Sequence, residues 1–190
     1  MQDKSNINDV KANNLNTEFE SIIQECRYIF EKKMLDYGVS WRVLRPESVT
    51  DQILNKVRRL KNIEIKGVQK VDDDTKSELM GIVNYSVIGL ILLENNWDES
   101  DNIEPEKVLK LYDKKIKKAI ELLSDKNHDY DDAWRAMRIS SIIDFIHVKL
   151  LRIQSIEDNK GETSISEGIE SNLEDIINYA IFAIIRISEE

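Results

Sequence analysis

The sequence predicts an all-α protein, built as two tandem three-helix repeats packed into a pseudo-two-fold helical bundle. Three observations predict it. Apolar residues recur three and four positions apart along the long segments, which is the spacing of amphipathic helices. Two prolines and six glycines are too few for a β-rich chain with many tight turns. The chain also repeats itself at an offset of 93 residues. Lys33, Asp36, Tyr37, Trp41, Arg42, Arg45, Ser48, Asp51, Ile53, Lys56, Arg59, Ile63 and Glu64 return as Lys126, Asp129, Tyr130, Trp134, Arg135, Arg138, Ser141, Asp144, Ile146, Lys149, Arg152, Ile156 and Glu157. That is 13 of 32 positions from Lys33 to Glu64. After one inserted residue, Ile82-Val83-Asn84-Tyr85 is echoed by Ile176-Ile177-Asn178-Tyr179.

Residues 1–15 read as a polar tail, 16–94 as the first repeat, 95–104 as an acidic linker, and 105–190 as the second repeat sharing one core with the first. The first helix is expected from near Thr17, where Phe19, Ile22, Ile23, Cys26, Ile29 and Phe30 share one face. Gly38 suits its C-terminal stop. A second helix is expected over about 48–62, with Ile53, Val57 and Leu60 on one stripe. Asp72 to Thr75 offer N-caps for a third, reaching about Glu94. Pro105 fits the first turn of a fourth helix, running to about Asp125. The fifth and sixth fall near 140–156 and 168–188, with Asp158-Asn159-Lys160-Gly161 as punctuation between them. Short turns are expected around Trp41 and Trp134.

At 190 residues the chain can bury a shared core without a staple. Its single cysteine, Cys26, cannot form an internal disulfide, and a reduced cytoplasmic location is expected. Met1 to Asn16 is polar, so no secretory signal is expected. The longest apolar run, Val87 to Leu93, is far too short to cross a bilayer, and no membrane partner is expected. A net charge of −9 argues against binding an extended nucleic-acid backbone. Between Arg42 and Lys70, however, eight Lys and Arg stand against three acids, which is either a local anion site or a solvated helix face.

What recurs is a polar and aromatic set as well as an apolar pattern, and it suggests a pair of related sites. Ile142, Ile143, Phe145, Ile146, Val148, Leu150, Leu151 and Ile153 leave the fifth helix little polar face, so burial is expected. Yet Asp144, His147, Lys149 and Arg152 lie on it, and buried charge is costly unless paired or liganded. On the sixth helix Asp175 and Asn178, three apart, share a face. Two explanations stand: a polar ligand cavity between helices, or an internal salt-bridge network joining the repeats.

The Tyr37-Trp41-Arg42-Arg45 element and its echo Tyr130-Trp134-Arg135-Arg138 also admit two readings. Arginine forks bind phosphate and aromatic faces stack on bases; alternatively, the aromatics pin a helix corner. For magnesium, which favours carboxylate oxygens and water, the second repeat supplies the expected ligands Asp144, Glu170, Glu174 and Asp175. The repeats differ here: Gly81 occupies the position of Asp175, and Asn172 that of Glu78.

The motif Lys-x-x-Asp-Tyr-Gly-x-x-Trp-Arg, with Asp-x-Ile-x-x-Lys-x-x-Arg and a later Asn-Tyr, resembles a bacterial family called nucleotide modification associated domain one, in two tandem copies from about 18 to 186. The resemblance implies a link to nucleotide or DNA-base modification. The helical layout is also similar to MazG-type all-α nucleoside triphosphate pyrophosphatases, where glutamate-rich helices hold magnesium. The expected function is accordingly a nucleotide-handling protein, in one form a magnesium-dependent phosphohydrolase and in another a non-catalytic nucleotide sensor or interaction module. Catalysis would fall to Asp144, Lys149 and Asp175. Nucleotide, or another phosphorylated small molecule, would be held by Tyr130, Trp134, Arg135, Arg138, Arg152, Asn178, Lys56 and Arg59. A homodimer is expected.

Overall fold

The computed structural model describes the backbone of residues 3–66, 75–98, 100–130, 133–163, 165 and 167–189, with side chains from 17 onward except 66 and 122–130. Among these residues are six α-helices, two short 3-10 turns and no strand. The helices are α1 (Asp3–Tyr37), α2 (Pro46–Lys66), α3 (Thr75–Glu94), α4 (Pro105–Tyr130), α5 (Ile139–Asp158) and α6 (Ile169–Ser188). The 3-10 turns, Ser40–Val43 and Ala133–Ala136, carry Trp41 and Trp134 as expected.

Helix α1 starts well before the expected Thr17. No proline or glycine lies between Asp3 and Tyr37, so nothing breaks the helix as it runs back into the polar segment. It stops where Gly38 turns left-handed (φ 61°) and its N–H bonds the Met34 carbonyl at 2.8 Å. Pro46 and Pro105 occupy first helical positions, where a missing N–H costs nothing. Lys160 and Gly161 end α5 in the left-handed region, with Gly161 N–H bonding the Ile156 carbonyl at 2.8 Å. The proposed N-caps Asp72 to Asp74 lie outside the described residues.

The six helices pack as three pairs: α2 with α5, α3 with α6, and α1 with α4. The α3–α6 pair is the middle layer, since each also touches the pairs above and below. A helix packed from both sides needs apolar residues nearly all round. Ile82, Val83, Val87, Leu90 and Ile91 of α3, and Ile176, Ile177, Ile181, Ile184 and Ile185 of α6, are accordingly buried. Each contributes roughly 1.5–3 kcal/mol of transfer free energy. By length and composition α3 could cross a membrane, but most of it is consumed by this packing.

The expectation of a buried fifth helix is overturned. Helix α5 is in an outer layer. Its inward face, Ile142, Ile143, Ile146, Leu150, Ile153 and Ile156, is buried, whereas Phe145, Val148 and Leu151 are exposed. Asp144 and Arg152 share that solvent side, so their charges are hydrated.

The duplication is visible in the contacts. Asn84 of α3 donates to the Cys26 carbonyl of α1 at 3.1 Å, and Asn178 of α6 donates to the Ala119 carbonyl of α4 at 3.0 Å. Cys26 and Ala119, like Asn84 and Asn178, are repeat equivalents. Glu25 of α1 pairs with Lys76 of α3 at 2.7 Å. At the same place in the second repeat Lys118 of α4 pairs with Glu170 of α6 at 2.8 Å, with the charges exchanged.

Candidate functional site

The recurring Lys56 and Arg59 of α2 reach α3, whereas of their α5 counterparts Lys149 reaches α6 and Arg152 stays on the exposed side. In the first repeat Glu78, 4% exposed, accepts from Lys56 at 3.1 Å and from Arg59. Gly81, one turn on, makes this possible. A Cβ there would stand 2.7 Å from Lys56 Cε. Lys56 therefore lies across the bare helix to reach Glu78, its ammonium 6.0 Å from the Tyr85 ring centre. Two cations and one carboxylate close on each other.

In the second repeat Asp175 replaces Gly81 and captures Lys149. Asn172 replaces Glu78 and carries no charge. Arg152, the equivalent of Arg59, makes no ion pair or hydrogen bond with a described residue. Asn172 is 2% exposed, and its Nδ2 donates to the Gly168 carbonyl at 2.8 Å. That commits Oδ1 as an acceptor, and Oδ1 has no partner. A buried acceptor left unpaired costs about 1–3 kcal/mol.

Arg152 and Asn172 line one open groove of about 790 Å³. Val148, Leu151, Ile156 and Ile165 give it an apolar wall, and Glu162, Glu167, Ser155, Asn159 and Thr163 complete it. Asn172 lies in the first turn of α6, whose N-cap Gly168 offers no side-chain cap. The amides of that turn and the positive end of the helix dipole favour an anion.

The other expected site residues are dispersed. Asp144 pairs with Lys61 of α2 at 2.7 Å on the surface, and Lys61 also lies 3.4 Å from His147 Nδ1. Burial, followed by the Lys61 and Arg58 charges, lowers the His147 pKa, while Asp144 opposes them. Glu170 and Glu174 face α4, where Lys118 lies 2.8 and 3.0 Å away. The Lys118 hydrogen bond holds the Glu170 carboxyl below its ordinary pKa. Lys115, buried where the first repeat has Ile22, pairs with Glu94 and lies 3.7 Å from Glu170. Among the described residues no three carboxylate, histidine or cysteine side chains converge. Asp144, Glu170, Glu174 and Asp175 are therefore not brought together at one point, each pairing with a lysine where it lies.

Trp134 and Arg135 form a corner clamp. Trp134 stacks on Phe182 of α6 at 4.3 Å and meets Phe19 of α1 edge-on. Such aromatic pairs contribute about 0.5–1.5 kcal/mol beyond their buried area. Arg135 covers the Trp134 ring at 4.6 Å and pairs with Glu18 and Glu189, so its fork is engaged by carboxylates. In the first repeat Trp41 packs on Phe30 and Trp97, and Arg42 donates to the Val39 carbonyl at 3.0 Å. Arg138 is exposed at the N-cap of α5. The Asn178 amide is interior, on the Ala119 carbonyl, and away from solvent. The Tyr130 side chain lies outside the described residues. Asn172 and the groove wall were not among the expected binding residues; the mismatch of Asn172 with Glu78 was the available signal.

The model of the family described as nucleotide modification associated domain 1 matches the chain twice, over residues 33–93 and 126–187. No curated protein matches the chain, and no solved structure does. The two matched segments start 93 residues apart, the same offset that relates Asn84's helix partner Cys26 to Ala119. Together they cover most of the chain, and this protein belongs to the nucleotide modification associated domain 1 family, of which it carries two copies.

Proposed function

We propose that this protein binds a nucleotide, or another phosphorylated small molecule, in the groove between α5 and the start of α6. The observation that carries the reading is the difference between the repeats. In the first, the Lys-x-x-Arg pair of α2 is closed by the Glu78 carboxylate. In the second, that anion is missing, one cation is diverted to Asp175, and Arg152 remains for an anion from outside. Arg152 takes the phosphate bidentately. Val148, Leu151, Ile156 and Ile165 cover the base, and Asn172 Oδ1 accepts from a ligand N–H or O–H. The family's description supports a nucleotide as the ligand class.

Binding without turnover is the form we favour, because the expected metal ligands Asp144, Glu170, Glu174 and Asp175 are each paired with a lysine. The magnesium-dependent phosphohydrolase is the finer alternative. Isothermal titration with canonical nucleotides, with and without magnesium, tests binding, and a phosphate and pyrophosphate release assay tests turnover. The expected result is saturable binding that Arg152→Ala weakens at least about tenfold, the loss of one charge-assisted contact. No binding by any nucleotide to the folded protein would sink the reading. Steady phosphate or pyrophosphate release would establish the hydrolase instead.

A further inference from the structure

The groove's own polar groups select the phosphorylation state of its ligand, and this inference rests on the nucleotide reading above. Among the described lining residues the charged ones are one arginine, Arg152, and two glutamates, Glu162 and Glu167. None of these three has an ion-pair partner among the described residues. The side-chain charge is therefore one positive against two negative, relieved only by the partial charge of the α6 N-terminus, about half a unit. One guanidinium fork holds one phosphoryl group. A second and third phosphoryl would find no further arginine or lysine among the described lining residues and would face the two carboxylates instead.

Of the remaining groups, Asn172, Glu162 and Glu167 want donors, whereas Ser155, Asn159 and Thr163 can donate or accept. Asn172 Oδ1 is fixed as an acceptor because the amide nitrogen is spent on Gly168 O. Ionised Glu162 and Glu167 can only accept. The groove therefore matches a ligand with a single anionic group at one end, and hydroxyl or amino donors along the rest. The apolar wall of Val148, Leu151, Ile156 and Ile165 asks for a flat apolar face as well. A volume of about 790 Å³ lies in the range that admits such a molecule. We infer that the groove selects a nucleoside monophosphate over the di- and triphosphates, with phosphate on Arg152, and sugar or base donors on Asn172, Glu162 and Glu167.

The test is isothermal titration of the full chain, with chelator present to remove divalent cations. The probes are AMP, GMP, CMP and UMP, each beside its triphosphate and its nucleoside. For the base that binds best, the monophosphate is expected to bind at least about tenfold more tightly than either companion. Arg152→Ala should reduce the monophosphate to the affinity of the nucleoside. Glu162→Gln with Glu167→Gln should raise triphosphate affinity toward that of the monophosphate, because the repelling charges are gone while the shape is kept. A triphosphate that binds as tightly as the monophosphate, or more tightly, overturns the selectivity and leaves the nucleotide reading standing. A nucleoside that binds as tightly as the monophosphate overturns the phosphate contact. If no probe binds, or if Arg152→Ala in a folded protein changes nothing, both the selectivity and the groove assignment fail.

Discussion

The buried asparagines allow a reciprocal test of the pseudo-two-fold arrangement. Asn84 is fully served: Nδ2 donates to the Cys26 carbonyl, and Oδ1 accepts from the Tyr112 hydroxyl at 2.8 Å. Asn178 is half served, since Oδ1 has no partner. The residue equivalent to Tyr112 in the first repeat is Phe19, which has no hydroxyl. Tyr112→Phe should therefore leave Asn84 in the state of Asn178, an orphaned buried acceptor, at a cost of about 2 kcal/mol. Phe19→Tyr should do the reverse, giving Asn178 its missing donor, for a gain of about 1 kcal/mol. In a domain of this size each kcal/mol moves the melting temperature by roughly 2–4 °C. The pair should thus lie roughly 4–8 °C below and 2–4 °C above the parent. Urea denaturation followed by circular dichroism gives the same ordering in the midpoints. Because the two sites share no partner, the double variant should show the sum. If Phe19→Tyr loses as much stability as Tyr112→Phe, the second repeat does not place position 19 against Asn178, and the symmetry argument is wrong at that level.

Three further outcomes are expected. Burial pushes the Cys26 thiol up to about 12 and raises the Tyr112 phenol as well, so both stay protonated in the fold. Their stabilising contribution is present below their unfolded values and is lost as pH rises from about 9; Cys26→Ala should flatten the unfolding-midpoint profile between pH 9 and 12. The His147 pKa is lowered, so the neutral ring is favoured in the fold. Its contribution is present above about 6.5 and is lost as pH falls through the lowered value, and NMR titration should find the ring protonating below the ordinary histidine range. Asn172→Glu should recreate the first repeat's closed cluster on Arg152. The variant should be more stable by about 1 kcal/mol in urea, and nucleotide binding should drop at least about tenfold by titration. Unchanged nucleotide affinity would remove Asn172 from the site.

The fold was legible because its causes are periodic. Apolar spacing located the helices, and Gly38, Pro105 and Gly161 marked boundaries. What misled was layering. Helices α5 and α6 look equally apolar in sequence, but only α6 is packed on both sides, and Phe145, Val148 and Leu151 are left in water. At the candidate site, the residues shared by both repeats largely hold the fold. Asn178 and Trp134 recur because the same helix clamp and the same corner are built twice. The groove instead rests on a residue that does not recur. Asn172 in place of Glu78 is readable in the alignment of the two halves, but its meaning depends on Lys149 turning to Asp175, which spacing alone does not show.

The exchanged charges at Glu25–Lys76 and Lys118–Glu170 have a consequence for how such a chain assembles. Two halves descended from one ancestor could trade helices, with each first helix docking in the other half. Here that exchange would set Glu25 against Glu170 and Lys118 against Lys76, placing like charges where opposite ones now meet. Each first helix thus carries an electrical address for its own half. With its own charge pair contained inside it, each half should hold its own first helix in place even when the two halves are expressed apart.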